Sequence, residues 1–277
     1  MKLTARRVVL ELLSAMGSVP SPVAGICEAG ELLGISSASM RVAITRLRAT
    51  DHLQSIGRGA YRIGPAAAPL MRQTARWREL ERRVRRWDGG WIAVHTAGLG
   101  RSDRAALRRR ERALKMLGLR ELTDGLFVRP DNLVGGVAAV RDELRALGLE
   151  PAAIVARLDQ LDEKREAKAR ALWDGDALSR SYTRTRQKLT QWLARAARVD
   201  ARTAARQTFA LGRAALHDLV FDPLLPDALC DVAARRALVE TMVRFDAAGR
   251  RAWYDAFGIK YAISGPVDGP RAARRKR

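Results

Sequence analysis

The sequence predicts an α+β protein of more than one domain, on three observations. At 277 residues the chain exceeds the usual single core of roughly 100 to 150 residues. Three short stretches of helical period and a glycine-flanked hairpin fill its first 65 positions. Residues 91–160 then alternate strand and helix signals in the order βαββαβ, and the remainder reads as helical.

The composition narrows the partner. Lys and Arg number 51 against 30 Asp and Glu, a net charge of +21 carried almost wholly by arginine. Such an excess points to a polyanion, nucleic acid before membrane. No apolar run approaches the roughly 18 residues that span a bilayer, and Glu11 interrupts the N-terminal one, so a cytoplasmic protein without a membrane partner is expected. Cys27 and Cys230 are too few for a structural zinc site or a disulfide framework and are expected as buried thiols.

In chain order, Val9, Leu12, Leu13 and Met16 form the apolar stripe of a first helix, which "GSVPSPV" ends with two prolines. "VAGICEAGELL" fits a second helix stopped by Gly34. The third begins near Ser36 or Ser37, either of which can cap its free N–H groups, and buries Met40, Ala43, Ile44 and Leu47. Its opposite face carries Ala38, Val42, Thr45 and Ala49, with Arg41 and Arg46 on the shoulders. A surface helix usually fills that face with Glu and Lys. Small side chains bordered by arginine instead suit a helix lying in the DNA major groove; the alternative is a helix packed on both faces. Immediately after it, "LQSIGR" and "GAYRIG" are strand candidates meeting at Gly57-Arg58-Gly59. A recognition helix followed by a cationic hairpin predicts a winged helix-turn-helix over residues 1–65. Ser37, Ser39, Arg41, Thr45 and Arg46 are the candidate base and phosphate contacts, and Arg58 is aimed at backbone or minor groove. Arg48 lies nearer the apolar stripe, and a DNA contact and a pairing within the domain both stay open for it.

Residues 66–90 predict a connector helix, with seven Arg against three acidic residues on a solvated face and Trp77 and Trp87 as anchors. "WIAVHT" opens the next domain as a strand. A helix capped by Ser102 follows, with Leu107, Leu114 and Leu117 on one side; "LREL" and "LFVR" then flank the hairpin signal Asp124-Gly125. Leu133, Val137, Val140, Leu144 and Leu147 mark a second helix before the strand "AAIVARL". That order predicts a ferredoxin-like domain over 91–160. Residues 161–264 form a mostly helical domain interrupted by the extended corner "FDPLLPDAL", and the polar, basic tail 265–277 is expected to be disordered.

Enzymatic signatures are missing: there is no G-x-S-x-G elbow, P-loop, H-E-x-x-H or dinucleotide fingerprint. No catalytic residue, metal or cofactor is expected. Two alternatives of other classes remain. A metal-dependent nuclease needs a carboxylate near the end of its first strand, which "WIAVHT" lacks; His95 reads as a core residue there, and Asp131 in "RPDN" as a turn former. His217, Asp218 and Asp222 read as a capping and turn network around Pro223 rather than a metal cluster. An RNA-binding sheet needs exposed stacking aromatics, and only Trp91 and Phe127 are available.

The joint pattern "SASMRVAITRLRATDHL", "GAYRIG", "GGWIAVHT", "LGLRELTDGLFVRPDNL", "LWDGDALSRSY" and "LHDLVFDPLLPDAL" resembles the PaaX family of bacterial transcriptional regulators, from the first helix to about residue 257. The chain departs from the family's pattern at Cys230-Asp231-Val232, where a Trp-Pro-Gly-like turn is expected. The resemblance implies the same three domains, and a repressor of phenylacetate catabolism rather than an enzyme. It also implies a homodimer that leaves its double-stranded operator, an imperfect palindrome, on binding an acyl-CoA effector such as phenylacetyl-CoA. For that ligand the segment from Trp173 to Pro226 offers Trp173, Tyr182, Trp192 and Phe209 as an apolar slot, and Arg180, Arg184, Arg186 and Arg213 for phosphates.

Overall fold

The computed structural model describes residues 3–15, 20–100 and 102–257. Met16 and the predicted tail 265–277 lie outside them. The fold is mixed α+β, with ten α-helices and two small antiparallel sheets among the described residues. The chain divides into two compact units, one made of residues 1–71, 201–206 and 250–277, the other of 72–200 and 207–249.

In the first unit, α1 (Ala5–Ala15), α2 (Val23–Leu32) and α3 (Ser37–Ala49) share one core. Val8, Val9, Leu12 and Leu13 of α1 meet Ile26 and Cys27 of α2 and Met40, Ile44 and Leu47 of α3, all buried as their spacing requires. Beside them lies a sheet of order β1-β3-β2, with β1 at Ser21–Pro22, β2 at Leu53–Ser55 and β3 at Ala60–Ile63. The sequence reading missed β1, because a pair containing proline reads as a helix stop; at a sheet edge that residue needs no ladder N–H.

Residues 66–90 do not form one helix. Helix α4 (Ala68–Ala75) tightens at Arg76 into a 3₁₀ helix, Arg76–Arg83, and the chain is extended from Val84. Trp77 and Leu80, both buried, are three residues apart, and only a three-per-turn helix stacks them directly on one face.

The larger sheet has order β5-β6-β4-β7, with β4 at Trp91–His95, β5 at Arg120–Thr123, β6 at Leu126–Pro130 and β7 at Ile154–Leu158. Helix α5 (Arg104–Met116) joins β4 to β5, and α6 (Gly136–Ala146) joins β6 to β7. Asp103, not Ser102, caps α5: its carboxylate accepts from the Ala105 and Ala106 amides at 2.8 and 3.1 Å, and holds its own ionisation below the usual range through those bonds. One sheet face buries Trp91, Ala93 and Val128 against Trp173 and Leu225, with the Trp91 and Trp173 rings stacked at 6.1 Å.

The remaining helices are α7 (Glu163–Arg170), α8 (Gly175–Arg195), α9 (Ala201–Val220) and α10 (Val232–Phe257). Between α9 and α10 the segment "DPLLP" leaves helical geometry, as its prolines predict, and holds Leu224 at a φ of +50°. Asp222 stabilises that turn by accepting from the Leu224 amide at 2.7 Å. The buried Arg129 guanidinium anchors the same corner. It donates to the carbonyls of Leu117, Pro130 and Pro223 and to Asn132, whose amide in turn donates to the Leu224 carbonyl. Burial lowers the Arg129 pKa, and these acceptors hold the charge in place.

Candidate nucleic-acid interface

Helix α3 is capped by Ser36, whose hydroxyl accepts from the Ser39 amide at 3.3 Å and donates to the Ser39 hydroxyl at 2.9 Å. Ser39 therefore serves the cap, and Ser37 is half-buried. The face away from the core is open along its length: Ala38, Arg41, Val42, Thr45, Arg46 and Ala49 are all exposed, Val42 by 50%. Thr45 donates its hydroxyl to the Arg41 carbonyl, which fixes its rotamer and leaves its methyl outward. Arg41 and Arg46 have no side-chain partner among the described residues.

Arg48, open in sequence between a DNA contact and a pairing inside the domain, is exposed and without a partner among the described residues. The signal was available: seven residues after Arg41, it returns to the same side of the helix.

Strands β2 and β3 pair Leu53 with Ile63 and Ser55 with Tyr61, and the turn closes through the Ile56 amide on the Ala60 carbonyl at 2.9 Å. Gly57 and Gly59 hold φ of +71° and +72°, the left-handed region that side chains disfavour, so Arg58 is lifted between two glycines and exposed. Across the hairpin Arg62 donates to the Gln54 amide oxygen at 2.9 and 3.1 Å, a contact the sequence reading did not identify.

The predicted effector residues have the following surroundings. Trp173 stacks on Trp91, while Trp192 meets Phe245 edge-on and donates to Gln207 at 2.9 Å. Tyr182 is buried near Asp222 and Arg235, and burial pushes its pKa up. Tyr182 and Trp192 face the core side of α8, whereas Arg180, Arg184 and Arg186 are exposed on the same helix; Arg213 and Phe209 on α9 are half-buried. A cleft of about 380 Å³ opens in the second unit, lined in part by Arg86, Trp87, Pro226, Val232 and Arg236.

The residues weighed for other chemistries are placed as follows. Asp131 is buried and ion-paired to Arg85 at 2.8 Å and Arg157 at 2.6 Å, so cations already occupy its oxygens. His95 is exposed at the end of β4, not in the core as expected, because the strand stops there. Asp218 accepts from Thr185 at 3.0 Å, and no group of three His, Cys, Asp or Glu that could hold a metal occurs among the described residues. Trp91 is buried and Phe127 half-buried, so neither offers an open ring on the sheet. Cys27 is buried as expected; Cys230 is only half-buried, and its thiol pKa is pushed up to about 11 by desolvation. No described helix is long and apolar enough to cross a membrane.

Residues 173–255 match the family model described as PaaX-like protein C-terminal domain. Among solved structures, the chain is similar to the uncharacterized protein Rv0674 from Mycobacterium tuberculosis, at 22% identity and a TM-score of 0.59, over 93% of this chain and 100% of that one. That likeness supports the fold. No curated protein matches the chain. The match over residues 173–255 supports a PaaX-like protein.

Proposed function

We propose that the chain is a sequence-specific repressor that reads duplex DNA with a winged helix-turn-helix. The observation that carries this reading is the outward face of α3: small side chains flanked by exposed, unpartnered Arg41, Arg46 and Arg48, followed by a hairpin that lifts Arg58. Small residues allow close approach to base edges, and arginine donors suit guanine and phosphate. The β5-β6-β4-β7 order with two helical connections supports a ferredoxin-like middle domain over 91–160. The connector 66–90 and the helical domain 161–264 complete this division.

In this reading the protein acts as a homodimer on an imperfect palindrome whose half-site centres lie one helical turn, or a multiple, apart. Its effector is of the acyl-CoA class, and the family points to phenylacetate catabolism. The cleft beside Trp87, which Arg86 also lines, offers an apolar wall and a cation for such a ligand.

Selection of bound sequences from a random duplex pool tests the proposal. Wild-type protein is expected to enrich a two-fold site, and Arg41→Ala to bind that site about 1 to 3 kcal/mol more weakly with relaxed preference. Absence of enrichment, or displacement of the duplex by an equal mass of single-stranded RNA, would overturn it.

A further inference from the structure

From Ala177 to Arg195, helix α8 contains no acidic residue, although the chain has 30. Its buried side is defined by Tyr182, Leu189 and Trp192. Away from them, Arg180, Arg184, Lys188 and Arg195 are exposed and fall within a quadrant of the helix surface. Between these cations lie Gln187 and Gln191, also exposed, which add amide donors. The nearest carboxylates on the helix are at its start: Asp174 accepts from the Ala177 amide as the cap, and Asp176 sits in the first turn. None of the four cations has an ion-pair or hydrogen-bond partner through its side chain among the described residues.

This arrangement is unfavourable in the free protein. Arg180, Arg184 and Lys188 follow one another at four-residue steps, where like charges on a helix repel. Elsewhere in the same unit several arginines are matched to carboxylates: Arg76 and Arg83 to Glu143, Arg85 to Asp131, Arg110 to Glu150. The face of α8 lacks that compensation, and a line of cations with interleaved donors is complementary to a regular polyanion. At 1.5 Å per residue the stripe runs about 22 Å, the length of about six base-pair steps of one strand.

We propose that the outward face of α8 is a second, sequence-independent surface for the phosphate backbone of duplex DNA. The proposal deepens the duplex-DNA reading above and rests on it for the identity of the polyanion. It assigns Arg180, Arg184, Lys188 and Arg195 to phosphate contacts, which position the protein without reading sequence.

The test is binding of the full chain to a random-sequence duplex across a salt titration, with wild type compared to an Arg184→Gln, Lys188→Gln double variant. Each phosphate contact contributes about 0.9 to the slope of log affinity against log salt, so the slope is expected to shrink by about two. Thermal midpoint should not fall, because the exchange relieves repulsion. A wild-type slope in the double variant would overturn the proposal. So would loss of binding to phosphatidylglycerol vesicles with the duplex slope unchanged, which would assign the stripe to a lipid surface. The two readings separate cleanly. Sequence enrichment with an unchanged slope sinks the α8 surface alone, whereas a reduced slope without any enrichment sinks the operator reading alone.

Discussion

The arginines of α3 and its hairpin tip, and four of the seven in the connector that follows, look alike in sequence and differ in what they touch. Arg41, Arg46, Arg48 and Arg58 are exposed and have no partner among the described residues. In the connector, Arg76 and Arg83 share Glu143 at 2.6 and 2.7 Å, Arg78 meets Asp246, and Arg85 meets Asp131. Its Glu81 in turn receives Arg235 at 2.9 Å and Arg236 at 3.1 Å. A cation already facing a carboxylate gains little from a phosphate, while an unmatched one gains the full interaction. Charge count therefore measures attraction to a polyanion, and the distribution of carboxylates decides which residues deliver it.

If connector pairing is structural, breaking its most buried member should give the largest effect. Arg235 is wholly buried; it donates to Glu81 and, at 2.9 Å, to the Leu225 carbonyl, with Asp222 close by. Arg235→Met leaves Glu81 and Asp222 without their shared cation, and a buried pair broken on one side costs about 3 to 5 kcal/mol. Urea unfolding should show that loss, with the duplex salt slope unchanged at temperatures where the variant remains folded. A stable variant with a reduced slope would move Arg235 to the other side of the comparison.

The helices and strands were legible because their signals are local. The stripe Met40, Ala43, Ile44 and Leu47 is buried as its spacing predicts, and Trp91 to His95 form a strand where apolar residues run continuously. The paired state of the connector arginines was not legible, since Arg76 and Glu143 are 67 positions apart and Arg78 and Asp246 are 168 apart. The same limit applies to the ring partners of Trp173 and Trp192, which are Trp91 and Phe245 on distant elements. Arg48 is the opposite case, where seven-residue spacing from Arg41 held the information.

The pH dependence of stability sharpens the connector side. Burial raises the Asp222 carboxyl above its ordinary range, against the opposing pull of Arg235. A raised acid binds a proton more tightly in the folded than in the unfolded chain, so its contribution is fully present below the ordinary value of about 3.9 and is lost as pH climbs through the raised one. Asp222→Asn keeps an oxygen for the Leu224 amide and removes the titration. Wild type should lose stability relative to this variant as pH rises across that window, read by urea midpoints at a series of pH values. A gap independent of pH would mean that Asp222 ionises in the fold as freely as in the unfolded chain.

The smallest expected effect belongs to the hairpin, and it bears most directly on the unmatched arginines. Arg58 is held away from the protein by two glycines with positive φ, so its removal exposes no cavity and breaks no bond among the described residues. Arg58→Ala should leave the thermal midpoint unchanged. If the residue meets phosphate, the variant should weaken binding to all duplex sequences alike and reduce the salt slope by about one. Contact with the minor groove instead would add a sequence-dependent component, strongest where the groove is narrow, and a comparison of A-tract with G·C-rich flanks would reveal it. No change in slope or preference would leave α3 as the DNA contact in this region and make the exposed hairpin tip a cation without a phosphate partner.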